Sequence, residues 1–222
     1  MLIKKILTIK IAPSILSADL LKIENEVQEV DKAGADYIHI DVMDGVYVPN
    51  ITFGPNIVKS LRSVTKKTLD VHLMIDNPSK YINNFIDAGS DIISFHPEAE
   101  NNPEKTIETI KNSNCKCGIA IHPSIKINEI RKYIDCVDII IVMTVVPGFG
   151  GQKFLDDQLT KISELKELKE KNKYIFEIEI DGGINDITSK KCIDLGADVL
   201  VAGSYIYSKP HSQYKLLIES LR

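Results

Sequence analysis

Apolar residues fall in short β-rich runs, IKIAPSI (9–15), TLDVHLMI (68–75), CKCGIAI (115–121) and YIFEIEI (174–180), each bounded by polar or basic residues. Stretches with helical spacing separate such runs: 18–33, 56–62, 79–88, 103–111, 128–133, 154–171, 186–195 and the C-terminal tail. One mark recurs. AGAD at 33–36, AGSD at 88–91 and LGAD at 195–198 each place a glycine where a helical pattern stops and an aspartate where a β-branched run opens. IDCVD at 134–138 is a weaker copy without the glycine.

The closing aspartates, 36, 91, 138 and 198, are 55, 47 and 60 residues apart, too far for one strand–helix unit and right for two. Eight strands alternating with helices imply parallel pairing through right-handed crossovers. The expected fold is α/β, a closed (β/α)8 barrel formed as one domain over residues 1–222, near the small end of that fold's range. The competing architecture, an open doubly wound sheet, usually carries a glycine-rich turn after its first strand. Here that turn reads APSILSAD, with no glycine.

Composition narrows the function. The 222 residues are 44% hydrophobic, contain no apolar run able to span a bilayer, and carry a net charge of −4, so neither membrane nor nucleic acid is an expected partner. The N-terminal MLIKKILTIKI is interrupted by lysines and lacks a signal-peptide pattern, which predicts a soluble, cytoplasmic protein. Cys115, Cys117, Cys136 and Cys192 show no disulfide framework, and Cys115-x-Cys117 reads as two small buried thiols.

Barrel chemistry gathers where strands end. Residues 39–45, HIDVMDG, close the second strand, and alternation places His39, Asp41 and Met43 on one face. DVHLM (70–74) closes the third strand with His72 and Met74 in one parity, and IEIDGG (178–183) closes the seventh with Asp181. His39, Asp41, His72 and Asp181 thus form a two-imidazole, two-carboxylate set suited to Zn²⁺ or Fe²⁺ with positions left for substrate. His96, His122 and His211 are expected to be ordinary hydrogen-bonded residues.

Apart from Met1, the methionines are Met43, Met74 and Met143, all at the expected rim. They fill awkward space there and offer a dry, polarisable layer against a metal and substrate carbons. The turns Gly148-Phe149-Gly150-Gly151, Gly182-Gly183 and Gly203-Ser204 follow the last three strands. Glycines let backbone N–H groups approach an oxyanion, and phosphate sites in barrels recur after strands seven and eight.

The segments IAPSILSAD, HIDVMDG, DVHLM, FHPEA, PGFGGQ, IDGGI and VAGS occur in this order over nearly the whole chain. Together they closely resemble the ribulose-phosphate 3-epimerase family. The resemblance implies a (β/α)8 barrel that interconverts D-ribulose 5-phosphate and D-xylulose 5-phosphate with one divalent ion per chain, Zn²⁺ or Fe²⁺ first and Co²⁺ or Mn²⁺ as substitutes, and no organic cofactor. It makes His39, Asp41, His72 and Asp181 the metal ligands, Asp41 and Asp181 the acid/base pair, and Ser14 and His72 substrate contacts. Gly148, Phe149, Gly150, Gly151, Gly182, Gly183, Gly203 and Ser204 would line the substrate and phosphate pocket. It also implies a homo-oligomer, a dimer or a hexamer.

Val146 stands where the family usually has Asn or Glu, and His122 where Asn or Lys is common; neither belongs to the metal set. A sister epimerase acting on another ketose phosphate, such as allulose 6-phosphate, would share the whole set. A non-catalytic sugar-phosphate-binding barrel would be expected to lack Asp41 or Asp181. A metal-free decarboxylase would need a lysine flanked by rim aspartates after the second or third strand, and there is none.

Overall fold

The computed structural model describes residues 9–222, so most of the lysine-interrupted N-terminal stretch lies outside the described residues. Eight parallel strands form one sheet: β1 (Lys10–Pro13), β2 (Tyr37–Met43), β3 (Thr68–Met74), β4 (Ile92–Phe95), β5 (Lys116–Ile121), β6 (Ile139–Met143), β7 (Glu177–Asp181) and β8 (Val199–Ala202). The helices are α1 (Ile23–Lys32), α2 (Pro55–Val64), α3 (Ile82–Asp87), α4 (Pro103–Lys111), α5 (Ile127–Ile130), α6 (Leu159–Asn172), α7 (Thr188–Leu195), α8 (Ser204–Tyr207) and α9 (Tyr214–Ser220). Strand order runs β1-β8-β7-β6-β5-β4-β3-β2, and a parallel bridge between Ser14 and His39 joins the two ends. This is the (β/α)8 barrel. No helix among the described residues is long and apolar enough to cross a membrane.

The recurring aspartates have a common physical role. Each closing aspartate accepts the backbone N–H at the start of the preceding strand: Asp36 from Ile11, Asp91 from Leu69, Asp138 from Cys117 and Asp198 from Ile178, at 2.8–3.0 Å. In return its own N–H donates to the carbonyl of that same residue. The motif repeats four times round the barrel floor and ties each odd strand to the next even one. Asp138→Ala would leave the N–H of fully buried Cys117 without its charged acceptor. The expected cost is about 1–3 kcal/mol, to be read by urea denaturation.

Helix ends follow the local sequence. Gly34, Gly89 and Gly196 take φ of 97°, 96° and 112°, the left-handed geometry their places after α1, α3 and α7 require. Five helical patterns begin later or break sooner than periodicity alone indicates; two of them, 79–88 and 154–171, open on the 3-10 turns Pro78–Lys80 and Asp156–Gln158, so α3 starts at Ile82 and α6 at Leu159. Residues 20–22 form a 3-10 turn because Asp19 caps the Leu21 N–H, so α1 starts at Ile23. The Asn185 side chain accepts from Ile187 and Thr188, delaying α7 to Thr188. The fifth helix is one α-turn followed by a 3-10 turn, Arg131–Tyr133.

Two apolar layers result. Ile38, Ile40, Val71, Ile93, Ile119, Ile140, Ile178 and Leu200 point outward to meet the helices. Ala12, Tyr37, Ile92, Ala120, Ile139, Ile141, Val199 and Val201 point inward and fill part of the barrel. Cys115 and Cys117 are both buried thiols, Cys115 lying just before β5 and donating to the Ser90 carbonyl at 2.9 Å.

Candidate active site

The barrel interior is polar along β2, β3 and β7. At the floor Lys10 donates to Tyr37 at 2.6 Å and to Glu177 at 2.5 Å. One layer higher His39, Asp70 and Glu179 meet, all fully buried. Above them His39, Asp41, His72 and Asp181 converge, their facing atoms all within 4.8 Å of one another. Parallel register pairs Asp41 with His72 and His39 with Asp70, so both imidazoles and both acids of β2 and β3 face the axis. Asp181 comes from β7, across β8 and β1.

His39 Nε2 lies 3.4 Å from Asp41 Oδ1 and 3.7 Å from Asp181 Oδ2; His72 Nδ1 lies 3.6 Å and 3.3 Å from the same two atoms. A tetrahedron with ~2.0–2.1 Å bonds separates its corners by about 3.3–3.4 Å, close to this spacing. Both nitrogens are buried and have no hydrogen-bond partner. An orphaned imidazole nitrogen is costly in a core and apt at a metal. The residues therefore fit a divalent ion, which these four side chains could hold.

Without an ion the neighbouring carboxylates favour the protonated form of both imidazoles. Burial pushes the His72 pKa down, but Asp181 and Asp41 push it up further, to about 9. His39 is likewise raised well above the ordinary imidazole range, burial being outweighed by Asp70 and Asp41. Burial would raise Asp41; His39 and His72 outweigh it and hold this carboxyl well below the usual range. Beneath, burial and neighbouring Asp70 push Glu179 up to about 8.

A pocket opens above this cluster. Ser14, Asp41, Asp181, the three methionines Met43, Met74 and Met143, and Gly148, Phe149, Gly150, Gly151, Gly182, Gly183, Gly203 and Ser204 all line it. Ser14 Oγ donates to Asp41 Oδ2 at 2.5 Å. Phe149 is half-exposed at the mouth, whereas the methionines are buried. Gly182 and Gly183 are required by shape, with φ of 114° and 67°, and a Cβ on Gly183 would lie 2.8 Å from the Phe154 backbone. Gly183→Ala should lower stability by about 1–3 kcal/mol through overpacking. Denaturant melts will show it.

The chain is similar in sequence and in fold to known proteins. Residues 10–207 match the profile of the ribulose-phosphate 3 epimerase family. The chain belongs to that family. The Bacillus subtilis ribulose-phosphate 3-epimerase is 49% identical over 215 residues, covering 96% of this chain and 98% of that protein. The Synechocystis enzyme of the same name is 44% identical, covering 91% and 89%. Among solved structures, a Mycobacterium tuberculosis tryptophan synthase chain superposes with a TM-score of 0.69 at 11% identity, covering 97% of this chain and 91% of that one; this likeness is one of fold.

The two departures from the ribulose-phosphate 3-epimerase pattern lie together but outside the tetrad. Val146 and His122 line a neighbouring surface hollow with Tyr47 and Glu98. His122 Nδ1 is satisfied by Ser124 at 2.8 Å, and His211 by Glu26 at 3.1 Å, as ordinary polar residues are. His96 is hydrogen-bonded too, but to His72, at 3.1 Å. Sequence reasoning missed Asp70 and Glu179, although each stands two residues before a named ligand and so shares its parity. It also missed Thr52, which accepts the Met43 N–H and donates to the Asp41 carbonyl, and Thr144, which holds the carbonyls of Asp181 and Gly182.

Proposed function

We infer that this chain interconverts D-ribulose 5-phosphate and D-xylulose 5-phosphate by moving the proton at C3. What carries the reading is the pairing of Asp41 and Asp181, on β2 and β7, at the floor of a glycine-lined pocket in a chain of this family. Inverting a carbon beside a carbonyl requires a proton to leave one face and return to the other, and two groups on opposite sides achieve that without moving the sugar. Asp41 is the group held deprotonated and so free to accept the proton: the Ser14 hydroxyl donates to it and stabilises its ionised form. Asp181 returns the proton in the ribulose-to-xylulose direction. A divalent ion, Zn²⁺ or Fe²⁺ in this reading, when bound to His39, Asp41, His72 and Asp181 supplies a Lewis acid for the negative charge that develops on substrate oxygen.

The turns at Gly182-Gly183 and Gly203-Ser204 receive the phosphate through backbone N–H groups. The Gly148, Phe149, Gly150 and Gly151 turn covers the sugar, and Asn50 steadies it by donating to the Gly148 carbonyl at 2.8 Å. Buried Met43, Met74 and Met143 keep water away from the reacting carbons. The catalytic domain spans the chain, and a homo-oligomer, a dimer before a hexamer, completes the reading. A panel assay decides the substrate: D-ribulose 5-phosphate is expected to exceed allulose 6-phosphate in kcat/KM by at least tenfold, roughly 1.4 kcal/mol in transition-state binding. The reverse order would transfer the assignment to the hexulose phosphate.

A further inference from the structure

His72 does not end the polar network. Its Nδ1 faces the tetrad, and its Nε2 lies 3.1 Å from Nε2 of His96, which is also fully buried. Two ring nitrogens at that distance share one proton, carried by one ring and accepted by the other. Beyond, His96 Nδ1 faces Glu98 Oε1 at 3.3 Å. Tyr47 covers the His96 ring at a centroid distance of 4.8 Å and donates its hydroxyl to the same Glu98 oxygen at 2.9 Å.

We propose that His96 and Glu98 are positioning residues that fix the tautomer of His72, leaving its Nδ1 lone pair free for the metal. The proposal rests on the metal reading of the tetrad. An ionised Glu98 only accepts, so it favours a proton on His96 Nδ1. That leaves His96 Nε2 as an acceptor, which draws the His72 proton to Nε2 and away from Nδ1. Reversing the first tautomer reverses the second: a His96 protonated at Nε2 would donate to His72 Nε2 and drive the His72 proton onto Nδ1, where it blocks the ion. The Glu98 charge, acting on His96 Nδ1 through an ion-pair contact rather than a hydrogen bond, thus sets the direction of the His72–His96 bond, and both residues act on the metal without touching it.

The test uses the full chain, Co²⁺ affinity from competition with a chelator, and long-range ¹H–¹⁵N spectra of the Zn²⁺-loaded protein. His96→Leu, which removes the acceptor, should weaken Co²⁺ binding about 10- to 100-fold, whereas His96→Gln, whose amide oxygen can accept from His72, should recover most of it. In a His72→Ala background His96→Leu should cost nothing further. The spectra should place the His72 proton on Nε2 and the His96 proton on Nδ1. Should His96→Leu fail to fold, Glu98→Leu at the rim is the second test and should weaken Co²⁺ several-fold. Wild-type affinity in the folded His96→Leu or Glu98→Leu variant, an equal loss in the His72→Ala background, or a proton on His96 Nε2 overturns the positioning role. A wild-type chain that binds no Co²⁺ overturns the metal reading and the proposal with it.

Discussion

Asp181→Asn is expected to abolish epimerisation while leaving half of the chemistry intact. The asparagine can neither donate the returning proton nor accept one, but Asp41, held ionised by Ser14, is untouched on the other side. The metal-loaded variant should therefore still exchange the C3 proton of D-ribulose 5-phosphate with deuterated solvent, and should not exchange that of D-xylulose 5-phosphate. Asp41→Asn should show the mirror image. Net turnover should fall by at least about 10²–10⁴-fold in each, the usual contribution of a positioned acid or base. Both side chains belong to the tetrad, so metal content must be measured in each variant before the loss is assigned to proton transfer. If either metal-loaded variant exchanges both epimers at equal rates, one mobile base serves both faces and the two-carboxylate scheme is wrong.

The residues in that experiment were legible because parity is a property of the strand itself. In HIDVMDG, His39 and Asp41 had to share a face whatever lay around them, and the register of β2 against β3 then brought His72 opposite Asp41. The barrel was legible from the same kind of repetition: the aspartates at 36, 91, 138 and 198 recur because each binds its odd strand to the next even one. What escaped is what depends on register or on loops. Asp70 and Glu179 lie one layer below the rim, where an acid reads as an error in a hydrophobic core until His39 is seen to hydrogen-bond Asp70 at 2.7 Å. His96 looked solitary because its partner is on another strand. Thr52 and Thr144 act on carbonyls of the strand ends, and hydrogen bonds from loop residues leave no periodicity to read.

Metal removal should show the same cluster from its electrostatic side. Chelation is expected to cut turnover at least about 100-fold, with Zn²⁺, Fe²⁺, Co²⁺ or Mn²⁺ restoring it. Uptake must displace protons, since His72 in the metal-free protein holds one up to about pH 9 and His39 is raised in the same direction. Co²⁺ affinity should therefore climb with pH across the range 6 to 9, by as much as about two logarithmic units per pH unit where both imidazoles release a proton. The metal-free fold should move the opposite way. A group whose folded pKa is raised is stabilising below its unfolded value and loses that contribution as pH rises through the folded one. For His72 the window runs from 6.5 to about 9. Glu179 adds to the decline from 4.5 to about 8, because the fold keeps it protonated while the unfolded chain does not. Thermal melts of metal-free protein should accordingly drop by roughly 10–20 °C between pH 6.5 and 9, and a saturating ion should remove most of that drop by replacing the protons with a charge that does not titrate. Co²⁺ affinity independent of pH, or a metal-free melting temperature that rises over this range, would show that the imidazoles are already neutral and that the buried carboxylates are balanced in another way.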